Sequence, residues 1–526
     1  MTLVDTSGPH LTAGRLWDLV TARAQETPDG LLVVDERRRR MTFAGFREAV
    51  ERTAAGFAAR GVREGTVVSW QLPSWIETMV LTFALSRLGA VQNPMVMMLR
   101  EREVDFICRQ VGAELLIVPE EFRGYGHGAM ARAIADRQPA LKVLVTDGTL
   151  PEADPAGLPI EPVGPPVRWV FYTSGTTSDP KGARHTDAGL VAATTTYCCH
   201  VGPGPEDRIA ALAPIAHVGG VLHVLAALMS GAGLILTDVF EPAATARLLS
   251  EEGMTYGGNG TPFIQAFLRE QGKDPTRKLF PYLKAFLVGG APRPESLHHE
   301  TRDGLGGRGI ASGYGLTECP FFAWGSPLAD DHTMATTEGR PGPGAQARVV
   351  RPDGSLAGTG ERGELWMKAP QLMVGYVDST LDAEAFDADG WFRTGDVAFL
   401  DVKGCLTITG RIKDVIIRNM ENISAREVED QLVTYPGLRD STVVGLPDPA
   451  TGERVCAVVV PEDLSAPPTL DDVCAHLLAC GLNRRKLPEQ LEIVDELPRN
   501  AMGKVVKAAL AERVTKAGQG DSRPVG

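Results

Sequence analysis

One run of residues, Tyr172-Thr173-Ser174-Gly175-Thr176-Thr177-Ser178-Asp179-Pro180-Lys181-Gly182, combines hydroxyl side chains, small residues and a single lysine. It follows a mostly apolar stretch, 167–171, that reads as a strand. An anion with several oxygens needs this combination: backbone N–H groups at close range, hydroxyl donors and one positive charge on a long stem. Triphosphate is the obvious ligand. The run is not a P-loop, because Pro180 rather than glycine precedes Lys181 and Gly182 rather than Ser or Thr follows it. The bland alternative is a surface turn of ordinary Ser/Thr/Gly/Pro composition.

Further along lie other residues fit for chemistry. Gly313-Tyr314-Gly315-Leu316-Thr317-Glu318 places an aromatic ring between glycines, where a planar ligand can lie against it, and ends in a hydroxyl and a hard oxygen ligand suited to Mg²⁺. The alternative there is a loop with a buried tyrosine and a solvated glutamate. Gly289-Gly290-Ala291-Pro292 leaves backbone open after an apolar run at 285–288, where α/β proteins form ligand sites, although a plain strand–helix turn reads the same way. Trp391-Phe392-Arg393-Thr394-Gly395-Asp396 puts a carboxylate just past a turn, able to accept from a ribose diol. Gly410-Arg411-Ile412-Lys413-Asp414 follows one hairpin later. For both segments the alternative is a turn with a surface ion pair. Lys504, in Asn500-Ala501-Met502-Gly503-Lys504, and His217, in Pro214-Ile215-Ala216-His217-Val218-Gly219-Gly220, are in isolation most simply a solvated lysine and a structural histidine.

The elements that must position these groups form two patterns. From about 40 to 320, short apolar runs (67–70, 115–118, 142–146, 209–212, 233–237, 285–288) alternate with helical segments (46–57, 78–88, 221–229, 242–251, 262–270), which implies parallel sheets covered by helices. The region is too long for one layer, so two packed βαβ-type subdomains are expected. After about 340, runs at 345–350, 364–368 and 406–409 separated by tight turns read as a small antiparallel, β-barrel-like part. A small α+β unit follows, with helices at 425–432 and 470–479 and strands at 441–446 and 455–460. The fold class is therefore α/β: a large N-terminal domain over 1–410, a hinge at 411–413, and a small C-terminal domain over 414–526 whose tail beyond 516 frays.

A chain of 526 residues is too long for one hydrophobic core. Net charge is −13, which argues against nucleic acid or anionic membrane as the main partner. The eight cysteines show neither C-x-x-C nor zinc-ligand spacing and read as small core residues of a reducing compartment. The first ten residues lack a signal-peptide pattern and no window reaches eighteen uninterrupted apolar residues, so a cytoplasmic protein without a membrane span is expected.

Taken in order from Tyr172 to Lys504, these motifs resemble the adenylate-forming enzymes: acyl-CoA synthetases, adenylation domains of nonribosomal peptide synthesis, and luciferases. The resemblance covers nearly the whole chain. It implies ATP and Mg²⁺ as cofactors, with Thr173, Ser174, Gly175, Thr176, Thr177 and Lys181 on phosphate and Gly289, Gly290, Ala291 and Pro292 beside the adenine and the acyl carbonyl. It further implies Tyr314 and Gly315 on the adenine ring, Thr317 on phosphate, Glu318 on Mg²⁺, and Asp396 and Arg411 on ribose. By the same resemblance Lys413 is the hinge of a mobile C-terminal domain. Lys504 bridges carboxylate and α-phosphate, and His217 stands at the mouth of an acyl site that includes Val218, Gly219, Asn259 and Gly313. The implied reaction joins a carboxylic acid to coenzyme A through an acyl-adenylate. The apolar surroundings of His217, with no acidic residue just after it, suggest a fatty, alicyclic or aromatic acid rather than an amino acid. Ser178 replaces a usual glycine, and Asn419-Met420 replaces a glycine pair that lines the pantetheine tunnel in CoA users. A carrier-protein acceptor and a degenerate nucleotide-binding regulator are the competing readings, and a homodimer is compatible with all three.

Overall fold

A computed structural model of the chain describes residues 14–161, 167–173, 180–290, 293–418, 421–448, 451–499 and 504–520. Its mixed α/β architecture is built on four sheets. A nine-stranded sheet runs in the order Arg340–Pro341, Ala323–Trp324, Ile310–Tyr314, Ala285–Gly289, Tyr256–Asn259, Arg208–Ala211, Gly233–Leu236, Leu31–Asp35, Arg40–Thr42. A seven-stranded sheet runs Gly375–Tyr376, Lys181–Thr186, Val167–Thr173, Val91–Pro94, Val67–Trp70, Leu115–Val118, Lys142–Val145. Both are parallel in the middle and antiparallel at one or both edges.

Strand alternation assigns the layers, because successive side chains point to opposite faces. Val33 joins the core between the two sheets while Val34 joins the core on the far side; Ile117 and Leu116 divide the same way in the other sheet. The shared central core holds the helices Phe43–Ala58, Ile76–Arg87, Asp187–Val201 and Val218–Ser230. The last of these is apolar almost all round, and all but two of its residues are buried, as a helix between two sheets must be. The two expected subdomains are thus two sheets sharing one core. Of the eight cysteines, Cys108, Cys198, Cys319, Cys405 and Cys456 are buried, and burial pushes the Cys108 thiol up to about 12.

The expected barrel-like part is instead an open four-stranded antiparallel sheet, Gln346–Val350, Gly363–Lys368, Phe392–Leu400, Leu406–Arg411; among the described residues its two edge strands do not pair. A five-stranded sheet (Glu421–Ser424, Val415–Arg418, Gly452–Pro461, Leu438–Asp448, Gln490–Ile493) follows, with its own cores. Helix Lys507–Gly520 packs Leu510 and Val514 on Val444, Leu446, Cys456 and Val458; residues 521–526 of the tail expected to fray lie outside the described residues.

Candidate active site

The Ser/Thr/Gly run lies at the tip of an antiparallel hairpin. Val167–Thr173 and Lys181–Thr186 pair with Thr173 opposite Lys181. Ser174, Gly175, Thr176, Thr177 and Ser178 fall outside the described residues. Lys181 keeps its ammonium 5.8 Å from the Tyr376 ring centroid. Tyr172 is turned away; its hydroxyl donates to Gln110 Oε1 at 2.7 Å.

The two glycine-rich motifs sit side by side at the carboxyl ends of neighbouring parallel strands, Gly289 in register with Gly313. Gly290 has φ of +79°, a conformation that requires glycine and opens backbone at the strand end. Ala291 and Pro292 fall outside the described residues. A Cβ on Gly315 would meet the Phe321 backbone nitrogen at 2.6 Å, so the loop after Tyr314 folds tightly back on itself.

Tyr314, Asp396 and Arg411 come together from three strands. The Tyr314 hydroxyl donates to Asp396 Oδ2 at 2.5 Å and Arg411 Nε lies 2.8 Å from Asp396 Oδ1. Asp396 and Arg411 are cross-strand partners, and the Asp396 backbone N–H is held by Thr394 Oγ1 at 3.0 Å. Burial first, and then the Asp396 charge, push the Tyr314 phenol well above its ordinary range; Asp396 keeps the Arg411 guanidinium raised.

The Thr317–Glu318 turn is fixed by two residues that no sequence motif marked. His185 Nε2 lies 2.8 Å from the Thr317 carbonyl oxygen and donates to it, since a carbonyl only accepts; burial lowers the ring to about 4 and keeps it neutral. The Tyr376 hydroxyl donates to Glu318 Oε1 at 2.7 Å. Neither has a sequence signal, because each reaches the turn only through the fold, His185 across 132 residues and Tyr376 across 58.

His217 caps the helix Val218–Ser230: its Nδ1 accepts from the Gly219 N–H at 3.1 Å, which assigns the ring proton to Nε2. Burial, then Lys504, then His223 lower it to about 4. Lys504 retains solvent access within the cleft, yet the protein crowded around it and the Arg411 charge lower its ammonium, opposed by Asp396 and Glu318. Lys504 therefore stands within electrostatic reach of His217, Arg411, Asp396 and Glu318 at once. Of the remaining expected residues, Val218 and Gly219 form the first turn after His217, the Asn259 side chain lies outside the described residues, and Lys413 is exposed.

Glu318 offers a carboxylate whose second oxygen makes no hydrogen bond among the described residues. One carboxylate completed by phosphate oxygens and water is an ordinary Mg²⁺ donor set, so the site fits that ion.

The model of the AMP-binding enzymes matches residues 20–377, and that of the AMP-binding enzyme C-terminal domain matches residues 427–504. The chain belongs to the AMP-binding enzyme family. It is 31% identical over 519 residues to a medium-chain fatty-acid–CoA ligase of Escherichia coli K12, covering 94% of this chain and 89% of that one. It is also 31% identical over 504 residues to a sulfoacetate–CoA ligase of Cupriavidus necator, covering 94% and 96%. The solved structure of ATP-bound MatB from Rhodopseudomonas palustris superimposes with a TM-score of 0.85 at 26% identity, over 95% of this chain and 99% of that one. The adenylate-forming resemblance carried by the motifs is therefore correct, on the branch that holds the acyl-CoA ligases. Among the described residues of this AMP-binding enzyme, no helix is long and apolar enough to cross a membrane.

Proposed function

We propose that this AMP-binding enzyme condenses a carboxylic acid with ATP to an acyl-adenylate and then transfers the acyl group to coenzyme A. The observation that carries the reading is the convergence of Lys504, Glu318, Asp396, Arg411, Tyr314 and His217 on one cleft. In the first step a carboxylate oxygen attacks the α-phosphorus, a new P–O bond forms and pyrophosphate leaves. Two anions must meet, so positioning and charge neutralisation supply most of the acceleration. Lys504 neutralises the carboxylate and the α-phosphate; Lys181 and the 173–177 loop hold the β- and γ-phosphates. Tyr314 lies on the adenine, and Asp396 accepts from the ribose hydroxyls. Glu318 would hold Mg²⁺, which when bound would supply positive charge against the triphosphate. In the second step the thiolate sulfur attacks the acyl carbon and AMP leaves with the electron pair of the broken C–O bond. The division at 410, with rotation about Lys413, lets Lys504 withdraw for that step.

The acid is not assigned by likeness, since the two ligases at equal identity are named for a fatty acid and for sulfoacetate. Pyrophosphate release across aliphatic, alicyclic, aryl and amino acids, with and without CoA, tests the reading. A thioester formed only with CoA is expected, and an adenylate that CoA cannot discharge points to a carrier-protein acceptor. Lys504→Ala is expected to lower adenylation by about 10²-fold or more while sparing thiolation of preformed adenylate. Equal loss of both steps overturns the domain rotation.

A further inference from the structure

Four rings form a box behind Tyr314 and His217. Trp324 pairs with Gly313 across antiparallel strands, and its indole takes the place of the missing side chain: a Cβ on Gly313 would meet it at 2.5 Å. Tyr197, from helix Asp187–Val201, meets Trp324 edge-on, with centroids at 5.2 Å and planes at 89°. It stacks on Phe321 at 5.7 Å and 24°. His223, on the helix that His217 caps, meets Tyr197 and Phe321 at 5.9 Å each. Tyr197, Trp324 and His223 are buried; Phe321 is the partly exposed ring.

Two features set this box apart from ordinary core. The Tyr197 hydroxyl, Trp324 Nε1 and His223 Nδ1 are all buried and none has a hydrogen-bond partner among the described residues. Buried polar groups of rings usually find one, so three orphans in touching rings point to a partner that arrives from outside. Phe321 also has φ of +47°, one of three non-glycine residues with positive φ among the described residues. Strain of this kind gathers where a ligand is clamped. The box is continuous with the site, since Gly313 precedes Tyr314 and His223 shares the helix of His217.

We propose that this box holds the tail of the acid and selects a planar aryl carboxylic acid with an oxygen substituent on its ring, bound by Tyr197 and Trp324. The inference rests on the ligase reading above. An indole N–H only donates, a phenol both donates and accepts, and a neutral imidazole nitrogen does one or the other by tautomer. The atom that meets Trp324 must therefore accept: a phenolic, methoxy or carbonyl oxygen fits. An alkyl chain leaves these polar groups unpaired, and a planar ring finds aromatic faces to stack on.

The test is pyrophosphate release by the full chain and by Tyr197→Phe and Trp324→Phe, with benzoate, 3- and 4-hydroxybenzoate, cinnamate, 4-hydroxycinnamate and octanoate. In the unmodified enzyme the better hydroxylated acid should exceed its plain analogue in kcat/KM by about tenfold or more, because losing that oxygen strands two buried groups. Each variant should bring this ratio toward one, a readout that a general loss of folding does not move. A ratio near one in the unmodified enzyme, a ratio untouched by both variants, or preference for octanoate overturns the inference. Octanoate turnover leaves the ligase reading standing, whereas no release with any acid overturns both.

Discussion

At the scale of single residues, Asp396 is the centre of the Tyr314–Asp396–Arg411 cluster, and on the proposed reading the nucleotide end of the site depends on it. Its side chain is 4% exposed and both oxygens are engaged, one by the Tyr314 hydroxyl and the other by Arg411. A buried carboxylate holds its charge only with such partners. Removing one hydrogen bond to a charged group costs about 1.5–3 kcal/mol, so Tyr314→Phe is expected to raise the KM for ATP about tenfold with a smaller change in kcat. Asp396→Asn should raise it further, because Arg411 then faces no opposite charge. ATP-dependent pyrophosphate exchange beside melting temperatures checks this: a lowered melting temperature with unchanged KM makes the triad structural only. Asp396, Arg411 and Tyr314 were legible in the sequence because each stands beside glycines that ligand approach demands. His185 and Tyr376 were not, because a histidine and a tyrosine inside strands look like any other core residue until the fold brings Thr317 and Glu318 against them.

At the scale of elements, the helix Ala425–Leu432 docks on the strand Leu406–Arg411 just before the 411–413 segment. Ser424 Oγ donates to the Thr409 carbonyl at 2.9 Å, Arg426 Nη1 donates to the Ile408 carbonyl, and Arg426 lies 3.9 Å from Glu338, whose carboxyl burial raises. These contacts tie the helix Ala425–Leu432 to the strand Leu406–Arg411, and on the proposed reading a rotation about Lys413 must break them. Arg426→Ala is therefore expected to slow adenylation several-fold while leaving thiolation of preformed adenylate unchanged or faster. Equal slowing of both steps shows that the contact only supports folding. The helix and strand were each readable from hydrophobic period, but this docking was not. Its donors are side chains meeting backbone carbonyls, and carbonyls carry no residue code. The two-residue strand Ala323–Trp324 escaped for a related reason: it is too short for any period, and its place is set by Gly313 admitting the indole.

At the scale of the whole molecule, three imidazoles are stored uncharged. His185, His217 and His223 are each lowered to about 4, chiefly by burial. In the unfolded chain they titrate near 6.5. Between about 6.5 and 4 the unfolded state therefore binds more protons, and stability falls as pH falls; for the deeply buried His185 the slope is about 1.4 kcal/mol per pH unit. Asp238 and Asp430 act oppositely. Burial raises each to about 6, so the native state takes up their protons first and they add stability as pH falls from about 6 toward 4. The balance predicts a loss that sets in near pH 6.5 and continues at a similar slope below 6, because the two carboxyls already take up protons on the upper limb and offset more of the growing histidine contribution on the lower. Urea midpoints from pH 7.5 to 4.5 measure this curve. Asp430→Asn should steepen the lower limb, and His185→Gln should flatten both limbs by about the slope of one group. A stability curve flat from pH 7 to 5 in the unmodified chain shows the rings charged in the native state. The cap that His217 makes through an unprotonated Nδ1 then no longer describes the folded cleft.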